Sequence, residues 1–149
     1  MTTRQSEALK MKIGIDPDIE KSGFAAYDTK TKKLDLKTMS FFDLLATISN
    51  FHVRCDLKVY IESGWLIKKT NWNRKTGASI GVNEKIAESI GKNHQVGKLI
   101  TEYCEKNGIT HFNVPPRGKI DSSTFKRITG YSGRTNQEER DAAMLVYGL

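Results

Sequence analysis

The sequence predicts an α/β fold in which a mixed five-stranded sheet, three antiparallel strands followed by parallel strands, is flanked by helices. Three short runs near the start of the chain alternate apolar with polar residues, which is typical of a strand meander. Two later runs of this kind follow segments in which apolar residues have helical spacing. Because strands joined through a helix pair in parallel, these later strands should extend the meander as a parallel sheet.

The meander is predicted within residues 12–40. Ile13 and Ile15 mark its first strand, which ends where Pro17 removes a backbone hydrogen-bond donor. Gly23 allows the chain to reverse into the second strand, and a polar turn leads to the third. The predicted strands occupy residues 12–16, 24–27 and 34–38.

Helices and strands alternate in the rest of the chain. Ser40 can cap the first helix, because its hydroxyl can accept a hydrogen bond from an amide of the first turn. Asn107 and Gly108 are a typical helix stop. A long loop is predicted at 65–83, and a basic, turn-containing stretch after residue 116. The predicted regular elements are a helix at about 41–50, a strand at 57–62, a helix at 83–106, a strand at 111–114 and a closing helix from about 135.

The length and charge of the chain restrict the classes of function that it can have. The chain has room for one domain, residues 1–149, in which residues 1–10 are expected to be a flexible leader. The net charge of +7 favours polyanionic partners, with nucleic acid first. There is no apolar leader and no apolar run of membrane length, so we expect a cytoplasmic protein with no membrane partner. Cys55 and Cys104 lack metal-finger spacing and are expected to be reduced core thiols.

Carboxylates recur at positions that the predicted fold brings together. Asp16 and Glu62 each close a strand, and the carboxyl ends of parallel strands meet at one edge of a sheet. Glu138 and Asp141 are three residues apart in the first turn of the closing helix, so they share a face. Clustered carboxylates repel unless a cation neutralises them, and oxygen ligands favour Mg²⁺ or Mn²⁺. Two such ions about 3.5–4 Å apart would support phosphodiester cleavage.

Each of these acids also has an ordinary explanation. An aspartate before proline, like Asp16, commonly opens a turn, and Glu62 could simply end its strand. Acids such as Glu138 are common in the first turn of a helix, where the helix dipole favours them. Asp141 is harder to explain in this way, because it adjoins the apolar run at 142–146 and charged residues seldom lie on an apolar face without a partner.

Three motifs resemble those of one family. The stretch IGIDP at residues 13–17, followed by SGFA at 22–25, resembles the first motif of RuvC-type Holliday-junction resolvases of the RNase H-like superfamily. The strand end YIE at 60–62 matches the second motif, and EERDAA at 138–143 resembles the last. The motifs follow the family's order from about residue 12 to the end of the chain. The short chain is closer to a bacteriophage-encoded branch, which would place the protein in the host cytoplasm.

Two residues depart from the family pattern. Asp18 stands where the family often has glycine, which changes the turn and adds an acid near the site. Glu138 stands where aspartate is common, which lengthens that side chain.

The resemblance implies an RNase H-like fold and a Mg²⁺- or Mn²⁺-dependent endodeoxyribonuclease with two ions in each active site. Such an enzyme would resolve Holliday junctions by paired symmetric nicks, as a homodimer on four-way DNA. The long helix around Gly91 and Gly97 would be its dimer interface. Its catalytic residues and metal ligands would be Asp16, Glu62, Glu138 and Asp141.

The resemblance also implies that the loop after Glu62 enters the junction and stacks an aromatic residue on an unpaired base. Trp65 takes that position, with Trp72 as a second candidate; stacking contributes about 1–3 kcal/mol per base. The alternatives are that Trp65 packs in the core, that Trp72 is an incidental surface residue, and that the basic loop is only solvated. The residues expected to contact DNA phosphates are Lys68, Lys69, Arg74, Lys75, Arg117, Lys119, Lys126 and Arg127.

Other functions stay open on the sequence. A nuclease of the same superfamily could act on flaps, replication forks or RNA–DNA hybrids. A non-catalytic, structure-specific DNA-binding protein would need none of the acids that the chain retains. A fragment of an actin-like or sugar-kinase ATPase would share the opening strand, but the chain has no later glycine-rich phosphate loop and is too short for two lobes.

Overall fold

The computed structural model describes residues 8–67 and 79–149, and it confirms the predicted fold class. The strands are β1 (Lys10–Asp16), β2 (Ser22–Asp28), β3 (Leu34–Met39), β4 (Asp56–Glu62) and β5 (His111–Val114). The helices are α1 (Phe41–Arg54), α2 (Ile80–Lys106), α3 (Ser122–Thr129) and α4 (Gln137–Met144), with a 3-10 turn at Gly64–Leu66.

The five strands form one sheet in the order β3-β2-β1-β4-β5. β1 pairs antiparallel with β2, and β2 with β3, as predicted for the meander. β4 pairs in parallel with both β1 and β5, because helical crossovers join these strands. Ile15 lies opposite Ile61 in this register, so β1 and β4 end side by side.

Helices cover both faces of the sheet. On one face, the fully buried residues Ile13 and Ile15 of β1 pack in one cluster with residues of α1 and α2, including Leu44 and Ile100. On the other face, α3 and α4 pack against β2 and β3. That cluster contains Ala25, Tyr27, Leu36, Phe125, Ala142, Ala143, Leu145 and Val146.

Two glycines let α4 lie against the sheet backbone to backbone. A Cβ atom added at Gly14 of β1 would collide with the carbonyl oxygen of Ala142, and one added at Gly23 of β2 would collide with that of Glu138. Neither carbonyl can move away without displacing the helix, so α4 depends on glycine at both positions. This close approach brings the first turns of α4 beside the ends of β1 and β2.

The structure corrects several predicted elements. Helix α3 lies in the stretch predicted as basic and turn-containing: Asp121 caps it by accepting a hydrogen bond from the amide of Thr124 at 2.7 Å, and Phe125 anchors it in the core. Its few apolar residues explain why periodicity alone misses it. Helix α2 begins three residues early, capped by Ser79, so the predicted loop at 65–83 is shorter at both ends. Helix α1 extends to Arg54, because Phe51 also packs on the core.

Helix α2 is 27 residues long, and its two predicted interface glycines differ in their surroundings. Gly97 is buried, and a Cβ atom there would lie 2.5 Å from the ring of Trp65, so this glycine serves packing within the chain. Gly91 is exposed, and no atom of the described residues lies within 4 Å of a Cβ atom added there. Across residues 8–67 and 79–149, no helix combines the length and the apolar character that crossing a membrane requires.

The Gly14–α4 contact predicts a large stability difference between two glycine-to-alanine changes. Gly14→Ala should lower the free energy of unfolding by at least about 1–3 kcal/mol, the usual cost of overpacking, because the clashing atom belongs to the backbone. Gly91→Ala is the matched control and should stabilise the protein by about 0.5–1 kcal/mol, since alanine favours a helix interior. Urea denaturation measures both. Equal stabilities for Gly14→Ala and the unsubstituted protein would show that α4 does not depend on this contact.

Candidate functional site

Three of the four predicted metal ligands lie together. Asp16 at the end of β1, Glu62 at the end of β4 and Asp141 in α4 each offer a carboxylate oxygen within 4.8 Å of the others. The two strand-end acids are neighbours because β1 and β4 pair in parallel. Asp141 joins them because Gly14 and Gly23 let α4 approach the sheet.

The end of β4 is fixed by a buried polar network directly after Glu62. The hydroxyl of Ser63 donates to the carbonyl of Ile61 at 2.9 Å and accepts from Nδ2 of Asn113 at 2.9 Å. Nδ2 of Asn113 also donates to the hydroxyl of Thr101 in α2 at 3.0 Å. The network ties β4, β5 and α2 together, so the backbone carrying Glu62 is held on both sides.

Two other acids near the cluster take different positions. Glu138 is exposed and lies outside the group of three, although its negative charge still contributes to the raised pKa of Asp16. Asp18, which the sequence suggested as an additional acid at the site, also lies outside the group. Its Oδ1 accepts hydrogen bonds from the amides of Glu20 at 2.8 Å and Lys21 at 3.3 Å, so this carboxylate shapes the turn after β1.

The electrostatics of the cluster are unfavourable without a cation. Burial raises the pKa of Asp16 to about 9, helped by the negative charge of Glu62, a hydrogen bond with it, and the charges of Asp141 and Glu138. Burial also raises the pKa of Asp141, an effect opposed by a hydrogen bond from Gln137 and by the positive charge of Lys119. The raised pKa means that Asp16 holds a proton more tightly than a free aspartate does, and a bound cation would neutralise the same charges.

A cleft of about 500 Å³ opens onto Asp16 and Glu62. Its lining combines these acids and Lys119 with apolar side chains, among them Trp65 and Ile90. The acids can bind a positively charged group, and the apolar side chains can contact the rest of a bound molecule.

Trp65 packs mainly against its own chain. Its ring contacts Gly97, lies edge-on to His94 with centroids 5.9 Å apart, and has Lys98 Nζ 5.9 Å from its centroid. It is half-buried against the core and also lines the cleft. These contacts match the packing alternative, and the proposed stacking on a base would have to use the part of the ring that lines the cleft.

The predicted phosphate-binding residues are dispersed. Lys119 lines the cleft, and its positive charge lowers the pKa of Asp141. Arg117 borders a small recess together with Glu62 and Asp141. Its Nη1 donates a hydrogen bond at 3.1 Å to the carbonyl of Met144, the last residue of α4. Exposed positions in the last turn of α3 carry Lys126 and Arg127. Outside the described residues lie Lys68, Lys69, Trp72, Arg74 and Lys75.

The sequence analysis missed several residues that build the site. Gln137 donates from Nε2 to Oδ1 of Asp141 at 2.7 Å, and Arg140 donates from Nη2 to Oε1 of Gln137 at 3.1 Å. Asn93 of α2 accepts from the amide of Ile19 at 2.9 Å, which fixes the turn after β1 beside the cleft. The spacing of Gln137 and Asp141, four residues apart in a helix, was the available signal for the first contact.

The donor set fits a hard divalent cation. Three carboxylates from three separate elements lie within 4.8 Å of one another, and burial raises the pKa values of Asp16 and Asp141. Comparison with protein-family models and with curated protein sequences finds no match to this chain.

The raised pKa of Asp16 predicts how stability depends on pH. Between the ordinary value of 3.8 and about 9, the folded protein binds more protons at Asp16 than the unfolded chain does, so its metal-free stability falls as pH rises. Asp16→Asn should flatten this slope and raise the Tm at pH 8 by more than about 3 °C, the shift that roughly 1 kcal/mol produces at this size. Thermal denaturation from pH 4 to 9 provides the measurement.

The matched control is Asp35→Asn, an exposed acid on β3. It should leave the slope unchanged. Adding Mg²⁺ or Mn²⁺ should stabilise the unsubstituted protein and Asp35→Asn, but not Asp16→Asn, because ligand binding stabilises only the form that holds it. A pH slope that persists in Asp16→Asn would contradict the assignment.

Proposed function

We propose that this protein is a metal-dependent endonuclease that cleaves phosphodiester bonds in branched DNA, with four-way junctions as the first substrate to test. The single observation that carries the proposal is the convergence of Asp16, Glu62 and Asp141 at the ends of paired strands and a helix. The order of the three motifs, with the same elements between them, supports the choice of a junction nuclease. The net charge of +7 supports a polyanionic substrate.

The roles of the residues follow from their contacts. Asp16 is the central ligand of the proposed site, because its strand β1 lies beside β4, which carries Glu62, and contacts α4, which carries Asp141. Mg²⁺ or Mn²⁺, bound at these acids, would activate water and stabilise the leaving oxygen. Glu138 completes the acidic set from the exposed start of α4. Lys119 is placed to bind a phosphate beside the acids, since it lines the cleft and its positive charge lowers the pKa of Asp141.

Paired symmetric nicks would require two such sites, so the proposal includes a homodimer on the junction. A nuclease with the same acids that acts on flaps, forks or RNA–DNA hybrids is the second candidate, and the substrate panel below separates the two. A non-catalytic DNA-binding protein is the third. The unbalanced charges of the carboxylate cluster favour a metal site over it, because a protein that only binds DNA has no use for repulsive acids.

A nicking assay tests the proposal directly. The unsubstituted protein with Mg²⁺ or Mn²⁺ should introduce symmetric nicks into a synthetic four-way junction faster than into linear duplex, a flap or a hybrid. Asp16→Asn should reduce the rate at least about 100-fold, since metal-assisted stabilisation of the transition state is worth several kcal/mol. Denaturing gels that resolve the cut strands report both results.

The control for this assay is Asp18→Asn. Asp18 lies two residues from Asp16 but belongs to the turn, where asparagine can accept the same amide hydrogen bonds. It should retain activity within about threefold, whereas an equal loss in both variants would mean that the assay detects damage to the turn. Equal cleavage of junction and linear duplex would overturn the junction preference, and salt-sensitive binding without cleavage would favour the non-catalytic alternative.

The proposed phosphate contact of Lys119 has its own test. Lys119→Ala should weaken junction binding and reduce the slope of log K against log salt by about one, the change expected for one lost phosphate contact. Lys30→Ala is the control, because Lys30 lies in the turn beside the start of β1, at the opposite end of that strand from Asp16. Fluorescence anisotropy with labelled junction and a catalytically inactive background gives the slopes. The same slope in both variants would remove Lys119 from the DNA interface.

A further inference from the structure

Behind Asp141 lies a chain of hydrogen bonds that connects this carboxylate to two surrounding loops. Nε2 of Gln137 donates to Oδ1 of Asp141 at 2.7 Å, and Oε1 of Gln137 accepts from Nη2 of Arg140 at 3.1 Å. Arg140 is anchored in turn by donating from Nε to the carbonyl of Ile120 at 3.1 Å and from Nη1 to the carbonyl and hydroxyl of Thr135, both at 3.0 Å.

The chemistry of the groups fixes the direction of this chain. A guanidinium has only donors, so Gln137 must turn its carbonyl oxygen toward Arg140. The amide NH₂ group is then directed to Asp141, which as a carboxylate can only accept. Arg140 itself donates to neutral acceptors, so its role here is to hold Gln137 in one orientation. All three side chains are at least partly buried, which limits competition from water.

We propose that Gln137 is a positioning residue that orients Asp141 for metal binding, and that Arg140 fixes Gln137 in the required orientation. The inference rests on the proposed function, because it assigns Asp141 a metal. The hydrogen bond to Oδ1 restrains the plane of the carboxylate that would hold the cation. Partners that orient metal ligands in this way typically change metal affinity 10–100-fold.

A purely structural role makes a different prediction. An amide–carboxylate pair four residues apart on a helix stabilises the helix by only about 0.2–0.5 kcal/mol. Removing such a pair would change the Tm slightly and would leave the affinity for a cation unchanged once the protein is folded. Metal affinity and thermal stability therefore separate the two explanations.

The experiment measures Mn²⁺ affinity of the full chain by calorimetry without DNA. Gln137→Met, which keeps the length of the side chain and removes its donor, should weaken Mn²⁺ binding at least about 10-fold with little change in Tm. Gln95→Ala, at an exposed position of α2, is the control and should bind like the unsubstituted protein. Arg140→Lys should weaken binding as well, because an ammonium cannot reproduce the guanidinium contacts.

A metal-free measurement keeps the proposal decidable if a variant folds poorly. In the unsubstituted protein, the side-chain amide protons of Gln137 should exchange slowly and resonate away from free glutamine, and Asp141→Ala should abolish both properties. Unchanged Mn²⁺ affinity in Gln137→Met, or amide protons that behave as free in the unsubstituted protein, would overturn the proposal. If Gln137→Met loses Mn²⁺ binding and no form of the protein cleaves DNA, the proposed function is wrong and this inference still holds.

Discussion

The close approach of Asp16, Glu62 and Asp141 at a partly buried site is the constraint on which the rest of the structure depends. Three carboxylates within 4.8 Å are unstable neighbours, and burial raises the pKa of Asp16 to about 9. The fold holds them together by forces that are independent of charge: parallel pairing of β1 with β4 and close packing of α4 on the sheet. A site maintained against its own electrostatics supports the proposed metal ion.

The contacts that pack α4 into the core also position the acids of the site. Asp141 is followed directly by the fully buried Ala142 and Ala143, and the carbonyl of Ala142 lies over Gly14. The carboxylate therefore cannot move without moving a helix that closes one face of the sheet. Small residues on both sides of this contact give a short distance between backbones, which a larger side chain would increase. Stability and geometry of the site should consequently change together in variants at this contact.

Local signals in the sequence were enough to predict the sheet and three of the clustered acids, and non-local contacts account for what was missed. Alternation around Ile13 and the stop at Pro17 are properties of adjacent residues, so they can be read directly. The packing of Trp65 depends on Gly97, a contact across 32 positions that no short pattern encodes. The spacing of Gln137 and Asp141 is a local signal for their hydrogen bond, but the contacts of Arg140 with the carbonyls of Ile120 and Thr135 depend on the positions of two loops.

The same constraint bears on how a polyanion could reach this site. The negative charge of the ionised acids would repel a phosphate, so that charge must be neutralised before, or together with, substrate binding. Lys119, in the lining of the cleft, neutralises part of this negative charge. Arg140 adds a second positive charge near Asp141, although it donates its hydrogen bonds to neutral acceptors. Both positive charges therefore oppose the effect of burial on the pKa of Asp141. A divalent cation bound at the acids would supply the rest of the neutralisation that a phosphate requires.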